Sequence, residues 1–362
     1  MTTQNLRIQT LDGWRAIAIF WVVADHAAIN SRYENLLWAN LGGFGVDIFF
    51  VLSGYIITLH FIEERKKSST FDLRSFYLRR AFRILPLVIA YLSTLCVLSL
   101  FVNLVDFHKS EIIGSLFFFR NYQYAVHPGG FYTLHFWSLS IEEHFYLLWP
   151  AILLWLGNRR SLWFAVAGAV SCATWRVYYM AHADSWIGRM LPVAGKVWRT
   201  DTRFDGLMLG CATAILLSQP SVLNFIYRNF PKETPLLMAI FIVLNLLRVS
   251  KMPSFLTNIL LCVAIASTVV VKEGLVYKWL NWRPLVWIGT ISYSVYMWQE
   301  LFLMRPDAGV FPFGKLSSFP FNLICVFVVS ALSFYFIERP GIALGKHLFR
   351  AKESRKIVAV SL

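Results

Sequence analysis

Long apolar stretches alternate with short polar segments along almost the whole chain. An α-helix needs about 20 consecutive apolar residues to cross the hydrocarbon core of a bilayer. The pattern therefore predicts an all-α integral membrane protein, a bundle of about ten transmembrane helices, of which the sixth and ninth are the least apolar. The predicted spans cover about 12–30, 42–62, 84–105, 136–156, 162–181, 203–219, 234–249, 255–271, 285–303 and 319–338.

The basic residues between these spans predict the orientation of the chain. Lysine and arginine concentrate in segments that stay in the cytoplasm. Most of the 34 such residues lie on the side that holds both chain ends, above all in Arg65–Arg83. Both termini are therefore predicted to be cytoplasmic, and 106–135 and 182–202 to be the largest outer loops. A short surface helix is expected around Ile112–Phe119.

Composition agrees with this class and argues against others. Hydrophobic residues make up 57% of the chain and charged residues only 15%, whereas a soluble domain carries about 25% charged residues. The net charge of +14 is spread between apolar spans rather than over one soluble face, so no nucleic acid is expected. The five cysteines lie singly in apolar stretches without the spacing of metal ligands, so no metal is expected either.

Two ionisable residues, Arg15 and His26, lie within the first predicted span. A charge near the bilayer centre costs several kcal/mol, so such residues are candidates for function. Helical geometry places the two side chains on one face, about 16 Å apart along the axis. On spacing alone, an arginine that extends to the membrane surface and a structural core histidine remain the alternative.

Three arginines, Arg79, Arg80 and Arg83, follow the second span. Such a run usually marks only the cytoplasmic side of a membrane protein. Arg80 and Arg83 are three residues apart, however, so they share a helix face on which two guanidinium groups can grip one phosphate. Together with Arg15 they predict an anion-binding site at the inner mouth of the bundle.

Carboxylates and a histidine cluster where the fourth span begins. His135 precedes this span, and Glu142 and Glu143 lie in its first turns. The helix dipole favours anions near a helix N-terminus and is one explanation of the two glutamates. A site that transfers protons is the other explanation.

Further ionisable residues lie in the two least apolar spans. Arg203 and Asp205 begin the sixth span, where an ion pair within the segment is the simplest explanation, and Glu300 lies near the end of the ninth. The predicted topology places these three residues in the outer half of the membrane with His26, His135, Glu142 and Glu143. The sequence thus predicts a polar tunnel with an anion-binding inner mouth.

These segments together resemble the membrane-bound acyltransferase-3 family over nearly the whole chain, from Leu11 to about Pro340. The resemblance is specific because separate motifs occur in the same order. They are the Arg15–His26 pair, the glycine-rich segment Gly42–Gly54, Arg80 with Arg83, Trp137–Pro150, Ser292–Trp298 and Phe336–Pro340. We interpret 1–345 as the acyltransferase transmembrane domain and 346–362 as a basic cytoplasmic tail.

The resemblance implies transfer of an acyl group, usually acetyl, from cytoplasmic acyl-CoA to a hydroxyl, often on a sugar at the outer face. Acetyl-CoA is the expected co-substrate, and Arg15, Arg80 and Arg83 would bind its phosphates. His26 would be the general base on the acceptor hydroxyl or would carry the acyl group covalently.

Other residues receive roles from the same resemblance. Glu143 would orient or balance the charge of a histidine, and His135 would support the acceptor side. The remaining polar residues of the tunnel are expected to bind substrate: Glu142, Arg203, Asp205 and Glu300.

The chain departs from the family pattern at two positions. Gln299 stands where a histidine is often found, and His144 stands where glutamine is common. Some members also carry a periplasmic esterase-like domain, which this sequence lacks, so we expect the reaction to occur within the membrane unit or with a partner protein.

The leading hypothesis is a multi-pass O-acetyltransferase of the inner (plasma) membrane. It would act among membrane lipids on a cell-surface glycan or glycolipid, such as lipopolysaccharide or an exopolysaccharide. The alternative is a proton-coupled secondary transporter that uses the buried histidines and glutamates as a relay. Inverted repeats with broken helices would favour a transporter, and the sequence shows no convincing internal repeat.

Overall fold

The computed structural model describes residues 8–29, 42–68, 71–102, 108–123, 130–182, 198–246, 254–303 and 313–348. Every regular element in these ranges is helical, as expected for an all-α protein. The helices in chain order are α1 (Gln9–Ile29), α2 (Gly42–Ser68), α3 (Leu73–Val102), α4 (Lys109–Leu116), α5 (Arg120–Gln123), α6 (Phe136–Ala181), α7 (Phe204–Leu217), α8 (Pro220–Asn229), α9 (Thr234–Leu246), α10 (Ser254–Val270), α11 (Gly274–Leu280), α12 (Arg283–Thr290), α13 (Ser292–Phe302) and α14 (Phe321–Leu348).

Several of these helices are suited to a membrane. Within the described ranges, α2, α3 and α14 are long and apolar enough to cross one. The pairs α7–α8 and α10–α11 bend by 96° and 84°, and counting each pair as one span gives five. The predicted total of about ten spans and the cytoplasmic location of the termini stay predictions.

Some predicted boundaries differ from the structure. The fourth and fifth predicted spans correspond to two helical halves of α6, which are separated by a kink at Gly157, where φ is 70°, a conformation that glycine adopts readily. The ninth predicted span is interrupted at Ile291, between α12 and α13. The predicted surface helix around 112–119 is confirmed as α4. Of the predicted basic tail, 349–362 lies outside the described residues.

Glycines bring α2 and α7 into close contact. A methyl group added at Gly54 would collide with the carbonyl oxygen of Leu207, and one added at Gly210 would collide with that of Val51. Small residues permit this approach of backbones in membrane helices. The glycine-rich segment therefore fixes how α2 packs, and with it the position of the α2 side chains that face the site.

Candidate active site

A cavity opens among α1, α2, α3, α6 and α13 and contains about 970 Å³ of empty space, including its mouth. Its walls include the three predicted donor-binding arginines, which come from α1 and α3. They also include both glutamates of α6. The fold thus brings five of the predicted site residues into one space: Arg15, Arg80, Arg83, Glu142 and Glu143.

The position of the two glutamates corrects the predicted grouping. The sequence predicts them beside His135 in the outer half, whereas the structure places them with the arginines. The reason is the length of helix between them, because Glu142 and Glu143 follow His135 by about two turns, or about 10 Å along α6. Arg80 Nε donates a hydrogen bond of 3.2 Å to Glu143 Oε1, and its guanidinium lies over the ring of Tyr146.

The three arginines differ in what they already contact. Arg15 Nη1 lies 3.1 Å from Asp12 Oδ1 on the preceding turn of α1. Arg80 pairs with Glu143 as described above. Arg83 makes no hydrogen bond or ion pair with any residue in the described part of the chain, although it lines the cavity. Its guanidinium is therefore available to an anionic ligand.

Sequence reasoning missed the hydroxyl groups that line the middle of this cavity. Ser53 Oγ and Tyr146 OH donate hydrogen bonds to the two carboxylate oxygens of Glu142, at 3.1 and 3.3 Å. Ser138 Oγ and Tyr296 OH lie 2.5 Å apart. All four lie within the motif segments named above, which is the signal that could have identified them.

A further lining residue, His60, also escaped the sequence analysis. It lies on α2 beside the arginines and is exposed to the cavity. His60 follows Ser53 by seven positions, or about two helical turns, so both face the same side of α2. That spacing was the available signal.

His26 lies in contact with Glu300, beyond the residues that line the cavity. His26 Nδ1 is 3.5 Å from Glu300 Oε1, and the carboxylate side chain is only 2% exposed. The sequence predicts that Glu143 orients a histidine, but in the structure Glu300 is placed to do so. His26 itself is 25% exposed, so its ring remains accessible.

His135 is buried close to the same end. Its ring packs edge-on against Tyr91 and Tyr296, with centroids 5.3 and 5.6 Å away. Among the described residues neither of its ring nitrogens has a hydrogen-bond partner. The buried amide of Gln299 likewise has no such partner within the described ranges. Both side chains could therefore bind the sugar acceptor, which is expected at this end of the cavity.

Arg203 and Asp205 do not pair with each other and do not line the cavity. Arg203 Nη2 lies 2.8 Å from Asp47 Oδ1 on α2. Arg176 donates two hydrogen bonds to the Asp205 carboxylate, at 3.0 and 2.8 Å. The expected ion pair between Arg203 and Asp205 is thus replaced by two others. Arg203, which precedes α7, pairs with α2, and Asp205 of α7 pairs with α6.

His144, the second departure from the family pattern, lies on another face of α6. Its Nδ1 is 2.8 Å from Thr200 Oγ1, in the short 3-10 helix Thr200–Thr202. Asn121 donates to the same hydroxyl at 2.9 Å. These contacts connect α5 and the 3-10 helix to α6 and account for His144 without a role in the cavity.

The described residues thus form a helical unit with an arginine-lined cavity and, beyond it, a histidine in contact with a buried carboxylate. The profile of one family, described as an acyltransferase domain, matches residues 8–338. The chain therefore belongs to the acyltransferase-3 family, as its motifs predict.

Curated relatives are similar over nearly all of this chain. It is 28% identical over 364 residues to the peptidoglycan O-acetyltransferase OatA of Listeria monocytogenes, covering 92% of this chain and 55% of the relative. It is 26% identical over 374 residues to the O-acetyltransferase OatA of Staphylococcus aureus, covering 91% and 56%. The chain thus spans little more than half of these relatives. No solved structure shows a significant match.

Proposed function

We propose that this protein is an integral-membrane O-acetyltransferase that moves an acetyl group from acyl-CoA to a hydroxyl of a cell-surface glycan. The observation that carries the proposal is the arrangement of the cavity, with arginines at one end and the His26–Glu300 pair beyond the other. The names of the relatives favour peptidoglycan as the first acceptor to test. Lipopolysaccharide and exopolysaccharide are the further candidates.

The donor would bind with its phosphates at the arginine end. Arg83 has a guanidinium that forms no ion pair with a carboxylate in the described ranges, and Arg15 and Arg80 line the same cavity. Arginine suits this task because its planar fork can bond two phosphate oxygens at once. The acyl-pantetheine arm would then extend toward His26, about 16 Å farther along α1.

The chemical step would take place at the histidine. The acceptor hydroxyl gives its proton to His26 as its oxygen attacks the thioester carbonyl carbon. The tetrahedral intermediate then expels the CoA sulfur, which receives that proton from the imidazolium. Glu300, whose Oε1 lies 3.5 Å from Nδ1, would orient the ring and stabilise the positive charge, as the carboxylate does in a catalytic triad. His135 would support the acceptor from the same end.

The arrangement in the membrane completes the proposal. Both termini and the arginine end would face the cytoplasm, where acyl-CoA is made, and the histidine end would face outward in the inner membrane. The basic residues between the spans support this orientation. Membrane lipid would surround the roughly ten spans.

The test supplies acetyl-CoA labelled in its acetyl group to membrane vesicles that contain the protein, together with peptidoglycan fragments. We expect base-labile label on the glycan, released CoA in equal amount, and loss of both in His26→Gln. The matched control is His347→Gln, an exposed histidine at the end of α14. Thioester cleavage that is equal in wild type and His26→Gln would disprove the catalytic role, and proton-coupled uptake without thioester cleavage would indicate the transporter. Lipopolysaccharide and exopolysaccharide serve as parallel acceptors.

A further inference from the structure

Two hydroxyl groups meet on the cavity wall between the arginines and the histidine end. Ser138 Oγ on α6 and Tyr296 OH on α13 lie 2.5 Å apart. Both also lie within hydrogen-bond distance of one backbone oxygen, that of His135, at 3.3 Å for Ser138 and 3.0 Å for Tyr296. Both side chains line the cavity.

The number of hydroxyl protons in this pair is smaller than the number of hydrogen bonds that its geometry allows. Each hydroxyl carries a single proton, whereas the geometry offers three contacts: one between the hydroxyls and one from each to the His135 oxygen. If Ser138 donates its proton to the Tyr296 oxygen, Tyr296 can turn its own proton from the His135 oxygen to a ligand in the cavity. A chain of two hydroxyls that ends on an anion is also strengthened by mutual polarisation.

Their position matches the place where the thioester must react. Tyr296 precedes Glu300 by one helical turn on α13, about 6 Å along the axis, so the two side chains lie on one face. Glu300 in turn contacts His26. Ser138 lies one turn before Glu142, which faces the arginine end. The hydroxyl pair thus stands between the donor-binding cations and the base.

We propose that Ser138 and Tyr296 form the oxyanion-binding site of the acyl transfer, an inference that rests on the proposed function. When the acceptor oxygen bonds to the thioester carbon, the carbonyl π electrons move to the carbonyl oxygen, and Tyr296 OH donates a hydrogen bond to it while Ser138 Oγ donates to Tyr296. The oxygen then re-forms the double bond as the carbon–sulfur bond breaks, and the sulfur takes the proton held by His26. Neither hydroxyl gains or loses a proton overall.

The first test separates the chemical step from donor binding. Removal of one oxyanion donor lowers kcat by about 10²–10³-fold, so Tyr296→Phe should show such a loss with an unchanged KM for acetyl-CoA. Ser138→Ala should lose about tenfold, because Tyr296 can still donate directly. Tyr55→Phe is the matched control, since Tyr55 is a buried tyrosine of α2 that does not line the cavity. Equal thermal unfolding of all variants shows that they fold.

The second test measures how far the reaction depends on a hydrogen bond to the carbonyl oxygen of the thioester. Acetyl-CoA is compared with the dithioester in which sulfur, a poor hydrogen-bond acceptor, replaces the carbonyl oxygen. Wild type and Tyr55→Phe should prefer the oxygen substrate, and this preference should fall about tenfold or more in Tyr296→Phe. A merely structural role for Tyr296 would leave the ratio unchanged and would overturn the inference. So would label found as a stable ester on Tyr296, because an oxyanion donor forms no covalent bond. Absence of acetyl transfer by the wild type contradicts the proposed function instead.

Discussion

His26 Nδ1 lies 3.5 Å from Glu300 Oε1, although the two residues come from helices near opposite ends of the chain. Glu300 is almost completely buried, and a buried carboxylate is costly unless a positive charge or a donor faces it. The contact therefore places a carboxylate beside the ring that would become charged. The imidazolium that forms when His26 takes a proton gains a counter-charge, and the carboxylate gains a cation.

The first prediction removes that counter-charge. Glu300→Gln keeps the shape of the side chain but cannot balance an imidazolium, so kcat should fall by about 10²–10⁴-fold, the range that proton transfer contributes. KM for acetyl-CoA should not change, because the phosphates bind at the arginine end. Steady-state acetyl transfer in vesicles measures both constants. The exposed Glu273→Gln is the matched control, and a normal kcat in Glu300→Gln would contradict the pairing role.

The second prediction distinguishes the arginines. Arg83→Gln should raise KM for acetyl-CoA and Kd for CoA by about 10- to 100-fold, because a hydrogen bond to a charged group contributes about 1.5–3 kcal/mol. Its kcat should change little. Arg80→Gln should also weaken donor binding, but it leaves Glu143 without its cation and should therefore lower thermal stability.

Both arginine variants are compared with Arg228→Gln, an exposed position on α8. Isothermal titration with CoA measures the dissociation constants, and melting in detergent measures stability. If Arg83→Gln bound CoA as tightly as Arg228→Gln, Arg83 would not be the phosphate ligand.

Periodicity within one helix was enough to predict which residues share a face, but not which helices adjoin. It placed Arg15 and His26 on one side of α1, and both now face partners in the interior. The family resemblance, not periodicity, assigned Glu143 to a histidine, whereas in the structure Glu143 contacts Arg80 and Glu300 contacts His26. Glu142 and Glu143 lie two helical turns after His135, about 10 Å along α6. Which side chains they meet at that depth depends on how the helices pack, which periodicity does not predict.

The third prediction concerns the buried pair of Arg176 and Asp205. Loss of one partner from a buried ion pair costs about 3–5 kcal/mol, so Asp205→Asn should lower the melting temperature clearly. Asp201→Asn breaks a more exposed pair with Arg199 and should cost about 1 kcal/mol or less. Melting in detergent compares the two. Unchanged stability of Asp205→Asn with a raised KM for the glycan would instead support the substrate-binding role predicted from the sequence.

The fourth prediction tests orientation. Cysteines introduced as Lys67→Cys and His182→Cys occupy exposed positions at the ends of α2 and α6. In a variant whose five native cysteines are replaced by alanine, a membrane-impermeant maleimide should label His182→Cys in intact cells and Lys67→Cys only after permeabilisation. This outcome follows from the basic residues around Lys67, which retain that end in the cytoplasm. The reverse pattern would place the arginine end outside, where no acyl-CoA is available.

The last prediction uses two glycines of the same helix. Gly54 packs against the Leu207 carbonyl, whereas nothing lies within 4 Å of a methyl group added at Gly43. Gly54→Ala therefore forces α2 away from α7 and should cost at least about 1–3 kcal/mol, because a backbone carbonyl cannot turn aside as a flexible side chain can. Gly43→Ala should be neutral or stabilising by up to about 1 kcal/mol, since alanine favours the helix. Melting in detergent measures both effects. Since α2 also carries Ser53 and His60 into the cavity, Gly54→Ala should lose acetyl transfer at temperatures where Gly43→Ala keeps it, and equal stability of the two variants would contradict the close crossing of α2 and α7.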